Sequence, residues 1–197
     1  MTGNEPVIDK YPLLYIDMNK GLLDKLLRVD QAGEMAAKRI YAGQMAVLGR
    51  DPKMRPLLLH MAEQEEKHLT HFNQLMQTHR IRPTFMMPIW HTAAYMLGVT
   101  TAMMGREAAM ACTEAVEQVV GEHYNDQLRD IYQSHPEWDK CQALKQVEQV
   151  IKEARDEELE HLQTAQVHGA HRAPFYHILS SVIKTGCRAA ISITKRI

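Results

Sequence analysis

Residues 65–68 read Glu-Glu-Lys-His and residues 158–161 read Glu-Leu-Glu-His, so a glutamate precedes a histidine by three positions in two distant parts of the chain. Both units lie in stretches whose apolar residues recur with the spacing of an α-helix. Three residues turn an α-helix by about 300°, so the carboxylate and the imidazole of each unit point the same way, one turn apart. Each unit is therefore predicted to bind a metal ion with both side chains.

A predicted helix precedes each unit and carries one glutamate on its apolar face. The two helix pairs form an internal repeat. Four carboxylates and two imidazoles directed into one bundle are the ligand set of ferritin-like di-iron and di-manganese proteins. The sequence therefore predicts an all-α, ferritin-like four-helix bundle, with a hydrophobic crossover helix between its halves and an amphipathic C-terminal helix. The predicted metal ligands are Glu34, Glu65, His68, Glu117, Glu158 and His161.

The charge of this set favours a pair of metal ions over a solvated helix face. A buried carboxylate is costly unless it is paired, and four together would repel one another. Two divalent ions balance four carboxylates, with neutral imidazoles completing the set. Oxygen-rich ligation with two imidazoles suits iron or manganese better than zinc or copper(I). Iron is favoured because two Fe²⁺ ions can become Fe³⁺ and give two electrons to O₂.

Composition limits the classes of protein that remain. The 197 residues fit one domain, predicted over residues 20–197 after an irregular tail at 1–19. With 23 Lys and Arg against 24 Asp and Glu, no basic nucleic-acid surface is expected. The three cysteines form no Cys-x-x-Cys pair, so no rubredoxin-like iron module is predicted and a reducing compartment is favoured. No glycine-rich dinucleotide motif occurs.

Two segments outside the repeat are unusually apolar. Residues 83–105 contain no Asp, Glu, Lys or Arg; a buried crossover helix and a helix lying in a membrane surface both fit this pattern, and a full span fits less well. In the last helix, apolar residues alternate with Lys184, Arg188, Lys195 and Arg196. That pattern is typical of a helix at an anionic lipid surface, although a docking helix of a soluble bundle also fits.

Further candidates surround the predicted ligands. A histidine that binds metal usually donates its other ring nitrogen to an acceptor, and Asp30 and Glu157 are the candidates for this role. Tyr124 lies two turns beyond Glu117 on the same helix face, with His123 beside it. An ordinary core tyrosine explains Tyr124 equally well.

Four segments, at residues 28–34, 39–48, 109–113 and 155–161, resemble those of demethoxyubiquinone hydroxylases, membrane-associated di-iron monooxygenases. The resemblance covers the chain from about Lys20 to its end. It implies hydroxylation of the ring of 2-polyprenyl-3-methyl-6-methoxy-1,4-benzoquinone with O₂ and electrons from NADH. It also implies two iron ions on the six ligands that the spacing selects.

The resemblance further implies that His123 and Tyr124 act as electron or proton relays, and that Tyr124 and Arg188 contact the quinone. It implies a homo-oligomer peripheral to the matrix side of the mitochondrial inner membrane, or to the cytoplasmic face of a bacterial inner membrane, and contact with a ubiquinone-biosynthesis complex. Two alternatives stay open: a rubrerythrin- or ferritin-like peroxidase or iron oxidase, and a metal-stabilised scaffold that binds quinone without catalysis.

Overall fold

Helices account for nearly all of the chain that the computed structural model describes, which is residues 12–134 and 138–197, with side chains at 20–133 and 138–197. No strand occurs within these ranges, so the predicted all-α fold is confirmed. Two short 3₁₀ turns, Trp138–Lys140 and Ala170–Arg172, precede the last two helices. The helices are α1 (Pro12–Leu48), α2 (Met54–Thr78), α3 (Met87–Met103), α4 (Arg106–Ser134), α5 (Gln142–Val167) and α6 (Tyr176–Thr194).

The predicted boundary between the irregular tail and the first helix was wrong. Helix α1 begins at Pro12 rather than Lys20, so residues 12–19 of the predicted irregular tail are helical. Proline suits the first turn of a helix, where its missing N–H would have no intrahelical acceptor. Helix α5 begins at Gln142, directly after the 3₁₀ turn Trp138–Lys140 and Cys141. Residues 1–11 of the predicted tail lie outside the described residues, as do residues 135–137.

The repeat helices α1, α2, α4 and α5 enclose two apolar clusters, one toward each end of the bundle. One cluster contains Leu27, Phe72, Tyr124 and Ile151. The other contains Tyr41, Met61, Met110 and Ala165. Helices α1 and α5 run from the first cluster to the second, whereas α2 and α4 run the opposite way. Since the four ligand-bearing segments lie between these clusters, apolar side chains close the centre of the bundle at both ends.

Helix α3 packs along α1, and α6 packs along α4. At the α1–α3 crossing the backbones touch: a Cβ on Gly98 would lie 2.1 Å from the carbonyl oxygen of Ile40, and one on Gly43 would lie 2.3 Å from that of Tyr95. Only glycine permits this approach. The buried residues of α3 are all small: Ala94, Gly98, Thr101 and Ala102.

The outer faces of α3 and α6 carry exposed apolar side chains. Ile89, Met96 and Met103 of α3 are exposed, as are Ile178 and Val182 of α6. Both helices therefore pack one face on the bundle and expose apolar side chains on the other, which for α3 combines features of the two interpretations of residues 83–105. Among the described residues, no helix is both long and apolar enough to cross a membrane.

Candidate metal centre

The structure brings the six predicted ligands together in the interior of the bundle. The helical spacing of each Glu-x-x-His unit places its carboxylate and imidazole on the inward face, and α1 and α4 each add one carboxylate. None of the six candidate ligand residues is more than 5% exposed. They are Glu34, Glu65, His68, Glu117, Glu158 and His161.

The six residues form two overlapping groups with metal-site geometry. In each group, four ligand atoms lie within 4.8 Å of one another. Glu65 and Glu158 belong to both groups. One group is completed by Glu34 and His68, and the other by Glu117 and His161. A carboxylate has two oxygens, so Glu65 and Glu158 can each contribute one to either ion.

Both histidines direct Nδ1 toward the carboxylates. The Nδ1 of His68 lies 3.2 Å from Glu34 Oε2 and 3.5 Å from Glu158 Oε1. The Nδ1 of His161 lies 3.2 Å from both Glu65 Oε1 and Glu158 Oε2. The ring nitrogen nearest the centre is thus the same atom in both halves.

The cluster leaves buried polar atoms without hydrogen-bond partners, which is the test of whether metal ions fit here. These atoms are both oxygens of Glu65, Oε2 of Glu34, Oε2 of Glu117 and Nδ1 of His68. Buried polar atoms in folded proteins are nearly always partnered. Oxygen and imidazole-nitrogen donors converging without protein partners match the ligand chemistry of divalent iron or manganese.

The electrostatics of the cluster also favour cations. Burial raises the pKa of Glu65 and Glu117 well above the ordinary carboxyl value, and the charge of Glu158 raises both further. Burial opposes the charged form of His68, but its contacts with Glu158 and Glu34 outweigh burial and raise its pKa to about 12. Unless cations bind, the carboxyl groups and imidazoles of the cluster therefore retain protons, which reduce its negative charge.

In each histidine, the ring nitrogen farther from the carboxylates, Nε2, contacts a residue of the other half. His68 Nε2 lies 3.0 Å from Glu157 Oε2, as expected for the predicted role of Glu157. His161 Nε2 lies 3.0 Å from Gln64 Oε1, a contact that the sequence analysis missed. Gln64 precedes Glu65 as Glu157 precedes Glu158, so the repeat could have identified it.

Two tyrosines cross the bundle in the same manner. Tyr124 donates its hydroxyl hydrogen to Oε1 of Glu34, and Tyr41 donates to Oε1 of Glu117 at 2.8 Å. Each tyrosine follows the glutamate of its own helix by seven residues. Tyr124 was predicted at this site; the role of Tyr41 was missed, although the repeat places it at the equivalent position.

Asp30 does not support a ligating histidine. It accepts a hydrogen bond from Gln127 at 2.7 Å, and its Oδ1 lies 3.3 Å from Nε2 of His123. Asp30 and His123 are both buried, and the His123 ring is next to that of Tyr124, with 6.1 Å between ring centres. The structure thus forms a buried group of Asp30, His123 and Tyr124 that ends at Glu34.

An apolar cavity of about 420 Å³ lies between α1, α3, α4 and α6. Gly33 and Val116, the sequence neighbours of Glu34 and Glu117, are part of its wall. Neither Tyr124 nor Arg188 lines the cavity. The Tyr124 hydroxyl is turned to Glu34, and the exposed Arg188 is paired with Glu122 at 2.9 Å, so their contact with substrate stays a prediction.

Comparisons with known proteins agree with the resemblance seen in the motifs. The family model described as "Ubiquinone biosynthesis protein COQ7" matches residues 21–194. A mouse protein named "NADPH-dependent 3-demethoxyubiquinone 3-hydroxylase, mitochondrial" is 47% identical over 180 residues, which cover 91% of this chain and 80% of the mouse protein.

Relatives from yeast and from a bacterium are almost as similar. The "5-demethoxyubiquinone hydroxylase, mitochondrial" of Saccharomyces cerevisiae is 43% identical over 188 residues, covering 92% of this chain and 81% of the yeast protein. The "3-demethoxyubiquinol 3-hydroxylase" of Rhodospirillum rubrum is 44% identical over 176 residues, covering 89% and 79%. With a family model that spans nearly the whole chain and relatives that are 43–47% identical, the chain belongs to the COQ7 family of ubiquinone biosynthesis proteins.

Proposed function

We propose that the protein is a di-iron monooxygenase that hydroxylates the ring of demethoxyubiquinone in ubiquinone biosynthesis. The observation that carries this proposal is the buried cluster in which two four-residue groups share Glu65 and Glu158. Relatives named demethoxyubiquinone hydroxylases supply the substrate class.

Two iron ions fit the donor set. Glu34 and His68 would hold one ion, Glu117 and His161 the other, and Glu65 and Glu158 would contribute to both. A bound iron pair would supply two electrons to O₂, and the reduced nicotinamide cofactor proposed below would replace them. The protein's own part is to exclude water, orient the imidazoles and fix the position of each carboxylate.

Tyrosine hydroxyls hold protons next to Glu34 and Glu117, the two outer carboxylates, each of which belongs to only one ligand group. Tyr124 donates to Glu34 and Tyr41 donates to Glu117, so a proton lies at each side of the cluster. The Tyr41 ring lies next to the candidate ligand His161, with 6.1 Å between ring centres, whereas the Tyr124 side continues to a histidine and an aspartate outside the ligand set, His123 and Asp30. We therefore assign proton or electron transfer during the reaction to that side.

The apolar cavity suits the substrate. Its volume of about 420 Å³ is in the range of small-molecule sites, and its lining is almost entirely hydrocarbon. A polyprenyl quinone is an apolar molecule with a flat ring. Gly33 and Val116 separate the cavity from Glu34 and Glu117, so a ring lying against them is close to the ligand cluster.

A membrane surface is the source of such a substrate. Ile89 of α3 and Ile178 of α6 are exposed, as are Phe85 and Phe175, which come just before these two helices. These helices also wall the cavity, so substrate could pass from lipid to the cavity without crossing polar protein surface. We propose that the protein binds the membrane through α3 and α6, as an interfacial protein does.

The electron source we propose is a reduced nicotinamide cofactor. NADH was the expectation from the motifs, whereas the names of the mammalian relatives specify NADPH. The names of several relatives also include the word mitochondrial, and that of the Rhodospirillum rubrum protein does not. We accordingly propose the matrix side of the mitochondrial inner membrane or the cytoplasmic face of a bacterial one. Homo-oligomer formation and contact with a ubiquinone-biosynthesis complex remain part of the proposal.

The test is a single-turnover and steady-state assay of iron-reconstituted protein. It contains a short-chain demethoxyubiquinone analogue, ¹⁸O₂ and either NADH or NADPH, and mass spectrometry reads the product. We expect one ¹⁸O atom in the hydroxylated ring. Consumption of O₂ or peroxide without a hydroxylated quinone would instead identify a peroxidase or an iron oxidase, and iron binding without O₂ consumption would identify a scaffold.

Glu158→Ala is the matched variant for this assay. Since Glu158 belongs to both ligand groups, we expect the variant to lose iron and turnover together. Glu160→Ala, two residues away on the exposed face of α5, should retain both. Normal iron content and normal turnover in Glu158→Ala would refute the assignment.

A further inference from the structure

The residues behind the two histidines occupy equivalent positions in the repeat but differ in charge. Gln64 and Glu157 each precede the shared glutamate of their own half, and each contacts the histidine of the other half. They also contact each other, since Gln64 Nε2 donates to Glu157 Oε2 at 3.2 Å. A hydrogen-bonded bridge thus runs from His68 through Glu157 and Gln64 to His161.

Hydrogen-bond chemistry fixes the direction of every bond in this bridge. A carboxylate only accepts, so His68 Nε2 and Gln64 Nε2 both donate to Glu157. With its amide nitrogen used in this way, Gln64 turns its oxygen to His161 and accepts from Nε2. A flipped amide would place two oxygens against each other at Glu157. Both imidazoles therefore carry hydrogen on Nε2 and leave Nδ1 available to a metal ion.

The two acceptors are not equal in strength. A carboxylate behind a ligating imidazole makes a charge-assisted hydrogen bond and increases the basicity of the ring, whereas an amide oxygen is neutral. The carboxylate lies behind His68, and the amide lies behind His161.

We propose that Gln64 and Glu157 are positioning residues that make the two metal positions inequivalent, so that the position held by Glu34 and His68 binds its ion first and more tightly. This inference rests on the proposed metal centre. It concerns the order of metal loading, which the proposed hydroxylase activity does not specify.

One other charge is also unequal between the halves. Asp30 lies one turn before Glu34, whereas Thr113 occupies the equivalent place before Glu117. A test must therefore change the bridge without changing Asp30. Exchanging the two bridge residues, in the double variant Gln64→Glu with Glu157→Gln, does so and keeps both the net charge and the number of hydrogen-bonding groups.

The experiment is an anaerobic titration with Co²⁺, read by visible absorption with a competing chelator. In the wild-type protein we expect two steps whose affinities differ by about tenfold. His68→Ala should remove the tight step, and His161→Ala the weak step. In the exchanged background this assignment should reverse, so that His161→Ala removes the tight step.

Single isosteric variants keep the test valid if the double variant folds poorly. Glu157→Gln should weaken the tight step by about tenfold and bring the two steps together, and Gln64→Glu should strengthen the weak step. Unchanged steps in these variants, or an assignment that does not reverse, would overturn the inference while leaving the metal centre intact. A wild-type protein that binds no Co²⁺ would overturn the inference and the proposed metal centre together.

Discussion

Single residues of one half complete the site of the other half. Tyr41 and Tyr124 cross the bundle to the opposite outer glutamate, and Gln64 and Glu157 cross it to the opposite histidine. Neither half alone can satisfy its own ligands. The proposed metal centre therefore depends on packing the two helix pairs against each other.

The tyrosines allow structural and chemical roles to be separated. We expect both Tyr41→Phe and Tyr124→Phe to destabilise the metal-free protein by about 1–3 kcal/mol in urea denaturation, because each leaves a buried carboxyl oxygen without its donor. Turnover should fall about 100-fold in Tyr124→Phe and much less in Tyr41→Phe. The difference is expected because His123 precedes Tyr124, whereas Ile40 precedes Tyr41. Equal losses of turnover would contradict a relay through Tyr124.

Gly33 has no packing reason to be glycine. A Cβ added there would meet nothing within 4 Å, and glycine in a helix interior is less stable than alanine by about 1 kcal/mol. Gly33 does line the apolar cavity, at the centre of the stripe that α1 contributes. We expect Gly33→Ala to raise the melting temperature by about 2–4 °C and to weaken binding of a decyl benzoquinone.

Gly21→Ala is the control, since Gly21 is an exposed helical glycine that also has open space and lies outside the cavity. It should be stabilised similarly and bind the quinone as the wild type does. Quenching of Trp90 fluorescence reports binding, because Trp90 lines the cavity. Undiminished quinone binding in Gly33→Ala would show that the ring does not lie against α1.

Helix α3 packs against α1 through direct backbone contact at Gly98. Gly98→Ala would place a methyl group against the Ile40 carbonyl, a backbone atom that cannot rotate away. We expect the free energy of unfolding, measured by urea denaturation, to fall by about 1–3 kcal/mol, which is typical of overpacking. The fall is expected because the methyl group forces α3 away from α1. Gly186→Ala in α6 is the control, since its Cβ would meet nothing within 4 Å. Similar stabilities of the two variants would contradict the close α1–α3 crossing.

Helix positions could be predicted from the sequence, but the inner face of α3 could not. Prolines and apolar periodicity locate the repeat helices, and their charged residues identify the outer face. Helix α3 contains no charged residue, so the spacing of its residues does not indicate which face is buried. The small residues Ala94, Gly98, Thr101 and Ala102 mark the buried side, and the packing of α3 on α1 explains why they are small.

At the scale of the whole molecule, the six candidate ligands could be predicted because helical spacing alone directs them inward. Their partners could not be predicted with the same ease. The contacts of Gln64 with His161 and of Tyr41 with Glu117 join residues 97 and 76 positions apart, and depend on how far one helix pair slides along the other. The repeat identifies which residues are equivalent, but not which ones meet.

The buried charge of the centre makes the stability of the whole protein depend on pH and metal together. In the metal-free protein, burial raises the pKa of Glu34, Glu65 and Glu117 above 4.5. For His161, contact with Glu158 outweighs burial and raises the pKa above 6.5. Groups with raised pKa values hold protons in the folded state that the unfolded chain releases. Their stabilising effect is therefore lost as pH rises above the ordinary values.

We accordingly expect the melting temperature of the metal-free protein to fall between about pH 5 and pH 8. Two Fe²⁺ or Co²⁺ ions would replace these protons, so the loaded protein should depend on pH much less, and the difference between the two should widen as pH rises. Glu65→Gln removes one carboxyl group whose pKa is raised, so the melting temperature of the metal-free variant should fall less steeply with pH. A difference in melting temperature that is constant or narrows toward pH 8 would mean that metal ions do not take the place of those protons.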